Sequence, residues 1–206
     1  MASTTTPARS LSAGERSRQT ILRAAANLAT VDGLEGISIG NLAAHIGMSK
    51  SGLYAHFRSK EELQLATVET AGQIFIADVV QPTESITDPL ERVRALCEGF
   101  VSHIERRVFP GGCFFIAVGA EFDTHPGAVR DAIAAAQRQW DGRMEELLER
   151  AQAAGSLRVD EDPRILAFEI DSYLMMGNAR FVMHDDPTYL ARARAAVAGR
   201  LAMAAA

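Results

Sequence analysis

Apolar residues three and four apart recur along almost the whole chain, and nowhere do they alternate with polar ones for long enough to make a strand. Such a chain can fold only as packed helices. The punctuation agrees. Ser12 with Glu15 and Ser59 with Glu62 have the spacing in which a hydroxyl and a carboxylate satisfy free amides at a helix start. Asp88-Pro89, Asp162-Pro163 and Asp186-Pro187 place a capping acid before a proline at a first helical position. Gly33 and Gly155 supply stops. These signals predict nine helices: a first from Ser12, short second and third ones capped by Ser38 and Ser49, a fourth from Ser59 to about Val80, and five more. The expected fold class is all-α, a three-helix head (12–58) followed by a six-helix bundle (59–206), with a disordered Ser/Thr/Ala-rich arm over 1–11.

Charge divides along the same line. The net charge is −5, yet residues 1–60 hold seven Lys and Arg against three Asp and Glu, while residues 61–206 hold fourteen against twenty-three. A basic head on an acidic body fits a protein whose head alone meets a polyanion, since self-repulsion keeps the body away from phosphates. No apolar run has the roughly 18 residues of a membrane span and the first residues form no apolar signal, so a cytoplasmic location without a membrane partner is expected. Cys97 and Cys113 are too few for a disulfide framework and wrongly spaced for zinc, so neither metal nor cofactor is expected. A phosphate-cradling glycine loop and H-E-x-x-H are absent, and the histidines at 45, 56, 103, 125 and 184 fall in separate segments, which argues against an enzyme.

Residues 38–57, SIGNLAAHIGMSKSGLYAHF, read as helix, glycine-containing turn, helix. Leu53 and Phe57 lie four apart and anchor the second of these helices on Ile21, Leu42 and Ile46, leaving Lys50, Ser51, Tyr54 and Ala55 outward. A helix so presented fits the major groove of double-stranded DNA, about 12 Å wide, with its N-terminal residues at base edges. Lys50 can donate to guanine O6 and N7, and Ser51 can donate or accept. Tyr54, His56 and Lys60 suit phosphate oxygens, and Arg16, Arg18 and Arg58 add charge.

The stretch from Gly14 to Leu63, GERSRQTILRAAANLATVDGLEGISIGNLAAHIGMSKSGLYAHFRSKEEL, resembles the DNA-binding head of the TetR family of bacterial transcriptional regulators. The resemblance rests on the turn glycine, the Ser-Lys-x-x-Leu-Tyr-x-His-Phe core and the Ser-Lys-Glu-Glu-Leu that opens the next helix. It implies a homodimer bound to a palindromic operator, with a C-terminal bundle that binds a small-molecule effector and pairs through the last two long helices, 163–183 and 187–203. Repression relieved by the effector is the implied output; activation, or sensing of a thiol-reactive effector, is the alternative on the same fold. By position Ser38 matches a backbone contact, Lys50 and Ser51 base-facing positions, and Tyr54, His56 and Lys60 phosphate contacts; Ser49, Gly52 and Ala55 complete the DNA-facing set. Gly40 and Gly52 stand where longer side chains are common, which implies fewer base contacts.

The bundle must be read from composition. Aromatic and sulfur-bearing residues on inward stripes nominate Phe75, Phe100, Phe114, Trp140, Met144 and Tyr173 as cavity candidates. Polar residues amid apolar runs nominate His103, Glu121 and Asn178, since a buried imidazole or carboxylate needs a partner. Cys113 follows Gly111-Gly112 at a helix start, where the dipole favours thiolate.

Overall fold

The computed structural model describes residues 12–206, so the arm expected over 1–11 lies outside the described residues. Among the described residues there are nine α-helices: α1 (Ala13–Asp32), α2 (Ile39–His45), α3 (Lys50–Tyr54), α4 (Lys60–Phe75), α5 (Pro89–Glu105), α6 (Phe114–Phe122), α7 (Ala128–Ala153), α8 (Pro163–His184) and α9 (Thr188–Ala204).

The caps are where the local sequence puts them. Ser12 Oγ accepts from the Glu15 amide while the Glu15 carboxylate accepts from the Ser12 amide at 2.7 Å. Ser38 and Ser49 cap α2 and α3 through the amides of Asn41 and Gly52. At α4 the box is offset: Ser59 Oγ takes the Glu62 amide, but the Glu62 carboxylate reaches one residue further, to the Arg58 amide at 2.8 Å. At α9 the carboxylate of Asp186 accepts from the Thr188 amide, so the helix opens at Thr188, one residue after the proline. The predicted fourth helix keeps its length but not its regularity, passing after Phe75 into a π-helical turn, Ile76–Val80, and then a 3-10 turn, Gln81–Thr83. Single π turns inside helices recur at functional sites.

Two apolar cores hold the chain together. One joins α1, α2 and α3, through Ile21, Leu42, Leu53 and Phe57, to Leu63 and Ala71 of α4 and to Val118 and Phe122 of α6. The other fills the bundle between α5, α7, α8 and α9. The head core therefore continues past residue 58 into the body. Each fully buried anchor such as Phe57 contributes about 1.5–3 kcal/mol. The helices α8 and α9 approach closely at Gly177, where a Cβ would lie 2.7 Å from that of Ala193. The segment Lys60–Thr83 is long and apolar enough to cross a membrane by composition alone, but it is packed against α1, α5 and α7.

Candidate nucleic-acid interface and ligand cavity

The head exposes what the sequence assigned to DNA. Leu53 and Phe57 are fully buried against Ile21 and Leu42, and this pins α3 with Ser49, Lys50, Ser51, Tyr54 and Ala55 facing outward, Tyr54 at 58% exposure. Ser38 is also exposed; Gly52 and His56 are half-buried. The Lys50 chain lies back over the start of α2, its Cε 3.3 Å from where a Cβ at Gly40 would stand. Gly40 thus leaves room for the one lysine of α3. Lys60 is exposed but engaged, its Nζ 2.7 Å from Glu35 Oε1, so part of its charge is compensated before any phosphate arrives. Arg18 lies over the Phe57 ring, 5.0 Å from its centroid. Residues Gly36-Ile37-Ser38-Ile39-Gly40 have the G-x-S-x-G spacing of a hydrolase nucleophile turn, but Ser38 Oγ is held in the N-cap of α2 by Asn41 and no histidine partners it.

A cavity of about 310 Å³ opens in the bundle between α4 with its π turn, α6, α7 and α8. Of the ten residues nominated from sequence, four line it: Phe75, Phe100, Cys113 and Trp140. Phe75 stands edge-on to Phe100 and to Trp140, at 6.2 and 5.4 Å between centroids, so the three rings make one wall. The other six lie elsewhere, each for a geometric reason. Phe114 is one helical step, about 100°, from the lining residue Phe115 and points instead to Phe109 in the head core. Met144 is buried in the bundle core beneath the cavity wall. Tyr173 sits about 200° around α8 from the lining residue Asp171. Asn178 is structural: its Oδ1 accepts from the Cys113 amide at 2.9 Å and fixes the start of α6 to α8.

Glu121, half-buried, and His103, fully buried, have partners of their own. The Glu121 carboxylate accepts from the backbone amides of Leu34 and Glu35, both at 2.8 Å, and so joins the end of α6 to the α1–α2 loop of the head. Gly33 makes this possible, with φ +81° and no Cβ to collide with Glu121. His103 lies behind the cavity wall, its ring edge-on to Phe75 and its Nδ1–H donating to Asp78 Oδ2 at 2.7 Å. Burial lowers its pKa below the ordinary 6.5 against the pull of Asp78, so the ring is neutral, and among the described residues Nε2 has no partner. Asp78 itself, although burial pushes it up, is held below its ordinary value by Arg106 and His103. Its ion pair with Arg106 ties the π turn to α5.

Burial also decides Cys113. It stands at the N-cap of α6, with the amides of Phe115 and Ile116 aimed at it, yet desolvation outweighs them and pushes the thiol up to about 11. The thiolate that the helix dipole would favour is therefore not formed. What sequence reasoning missed in the cavity is Asp171, whose Oδ1 accepts from Trp140 Nε1 at 3.1 Å, together with Ile116.

The outer side of α8 is the other unusual surface. Ile165, Phe168, Ser172, Met175, Ala179 and Val182 are all exposed and follow a three-four-three-four-three spacing, the 3.5-residue repeat of a helix seam. Leu174 and Phe181, on the opposite side, are buried in the protomer, as are Leu190, Val197 and Leu201 of α9.

Residues 89–197 match the family described as "Tetracyclin repressor-like, C-terminal domain", and residues 21–67 match "Bacterial regulatory proteins, tetR family". The chain belongs to the TetR family. Among characterised relatives it is similar to the transcriptional regulator AcuR of Cereibacter sphaeroides, 27% identical over 72% of this chain and 68% of AcuR. A TetR transcriptional regulator from Chloroflexus aurantiacus superposes with a TM-score of 0.82 at 25% identity, covering 93% of this chain and 97% of that one. AibR, solved in complex with isovaleryl coenzyme A and operator DNA, superposes with a TM-score of 0.70 at 26% identity, covering 91% and 97%. As a member of the TetR family the chain is a DNA-binding transcription regulator with a ligand-binding C-terminal domain, not an enzyme.

Proposed function

We propose that the chain works as a homodimeric repressor that leaves a palindromic operator when a small molecule enters the cavity. The observation that carries this reading is the path of α4: Lys60 opens it beside the head, and Gly72, Phe75 and the π turn that follows it line the cavity. A ligand that displaces the Phe75 ring acts on the helix on which the head is mounted. A second link runs through α6, which contributes Phe115 and Ile116 to the cavity and ends in the Glu121 contact with the head. AibR was solved with both a ligand and operator DNA, which supports a two-site layout here.

In this reading Lys50 and Ser51 read bases, and Tyr54, His56, Ser38 and Lys60 position the backbone. The seam on α8 pairs across a two-fold axis, with the exposed alanines 191, 195, 198 and 202 letting α9 approach closely. Two heads then meet half-sites separated by a helical turn of about 34–36 Å or a multiple of it, which makes the operator palindromic. A cytoplasmic location goes with the role. For the ligand to swing occupancy from 99:1 to 1:99 it must favour the non-binding state by about 10⁴. A gel shift with DNA flanking the chain's own gene tests the proposal: binding by the effector-free protein supports repression, whereas binding only in the presence of a ligand supports activation.

A further inference from the structure

Taking the cavity as the effector site, its chemistry can be narrowed from its walls. Asp171 projects from α8 between Ile170 and the apolar run that follows, and it is the more buried of the two carboxylates that line the cavity. Oδ1 is held by the Trp140 indole; Oδ2 has no hydrogen-bond partner among the described residues. Asp141 stands on the α7 side of the same cavity. The other polar lining groups are the amides of Gln137 and Gln139 and the guanidinium of Arg143, which among the described residues makes no ion pair with either carboxylate. A half-buried carboxylate beside aromatic faces and in no ion pair is a place prepared for a cation supplied from outside.

We propose that the cavity takes a compact organic cation, an ammonium group on an apolar body, with Asp171 as its counter-ion and Trp140, Phe75 and Phe100 as its walls. The electrostatics run the same way. Burial raises the Asp171 carboxyl above its ordinary value, more than the Trp140 hydrogen bond lowers it, and no side-chain cation offsets the rise. Asp141 is raised by burial and then by the like charges of Asp171 and Glu145. Burial raises the Cys113 thiol at the cavity wall, and the charge of Asp171 adds to that rise. An anionic ligand would meet these carboxylates unpaired, which separates this cavity from a site for an anionic thioester such as the ligand bound to AibR. At about 310 Å³ it is at the small end of ligand cavities and suits one ring with a substituted ammonium.

Trp140 is the chain's single tryptophan, so its fluorescence reports the cavity directly. The full-length protein is titrated with three probes of matched size: benzyltrimethylammonium, benzyl alcohol and phenylacetate. The cation is expected to bind about tenfold or more tightly than either of the others, and Asp171→Asn to remove that advantage while leaving benzyl alcohol within about twofold. Equal or tighter binding of the anion or the alcohol, no response to the cation, or an unchanged cation affinity in D171N overturns the proposal. If D171N does not fold, the three-probe comparison on the unmodified protein decides alone. The same probes in a gel shift keep this proposal apart from the repressor reading: a cation that changes Trp140 without releasing DNA leaves the site standing and overturns the effector role, and release of DNA by a different molecule, with no cation bound, does the reverse.

Discussion

Replacing Phe168 by alanine isolates the role of the α8 seam. The residue is 73% exposed in the protomer, so about three quarters of it is available to a partner. Burying a whole phenylalanine side chain contributes about 1.5–3 kcal/mol, and 73% of that is about 1–2 kcal/mol. A two-fold axis presents the residue twice, so the dimer loses about 2–4 kcal/mol, which raises its dissociation constant roughly 30- to 1,000-fold. Sedimentation equilibrium across a concentration series measures this, with circular dichroism to show that the helices remain. Operator affinity should fall with the dimer, because a single head makes half the contacts. A dimer constant unchanged in F168A, or an unmodified protein that is monomeric at micromolar concentration, refutes the assignment of this face. Phe181→Ala, further along α8 and buried inside the protomer, should instead weaken folding.

Four further outcomes follow from the same geometry. Lys50→Ala should relax base preference at one position by about 1–3 kcal/mol, read by competition among operator variants. Lys60→Ala should weaken binding to all sequences alike and lower the salt slope by less than the roughly one charge of a free lysine, because Glu35 already compensates it. Glu121→Gln keeps one acceptor but turns an amide NH2 toward the other backbone N–H, costing about 1–2 kcal/mol in thermal unfolding and reducing the effect of a cavity ligand on DNA affinity; an unchanged ligand effect would show that the contact is structural only. Cys113, with a thiol near 11, is a thiolate in only about one molecule in 10⁴ at neutral pH, so iodoacetamide should leave it unmodified at pH 7 and reach it only as the pH rises.

Local chemistry was legible and tertiary aim was not. The Ser12, Ser38, Ser49 and Asp88 caps depend on atoms within three residues, and all appear in place. The outward face of α3 was legible because two anchors four apart, Leu53 and Phe57, fix the rotation of a short helix. The cavity depends on which of several apolar stripes meet, and one residue's offset moves a side chain by about 100°. Phe114 and Phe115 are neighbours of equal chemistry, yet one belongs to the head core and the other to the cavity. A polar residue within an apolar run nominated Glu121 and His103 for the cavity, yet neither lines it and each is engaged elsewhere: one holds the head, the other the π turn. The same signal was present at Asp171, between Ile170 and Tyr173, and was passed over. At Cys113 the sequence offered both a thiolate favoured by the helix dipole and a buried thiol, and burial decides for the thiol.

The central claim is that α3 reads a defined DNA sequence from a two-fold dimer. Its most direct test is selection of host-genome fragments on the immobilised full-length protein, followed by sequencing of what is retained. Enrichment of a palindromic site beside the chain's own gene, with half-sites one or two helical turns apart, is the expected result. Retention of DNA without sequence preference, or of sites with no two-fold symmetry, would contradict it.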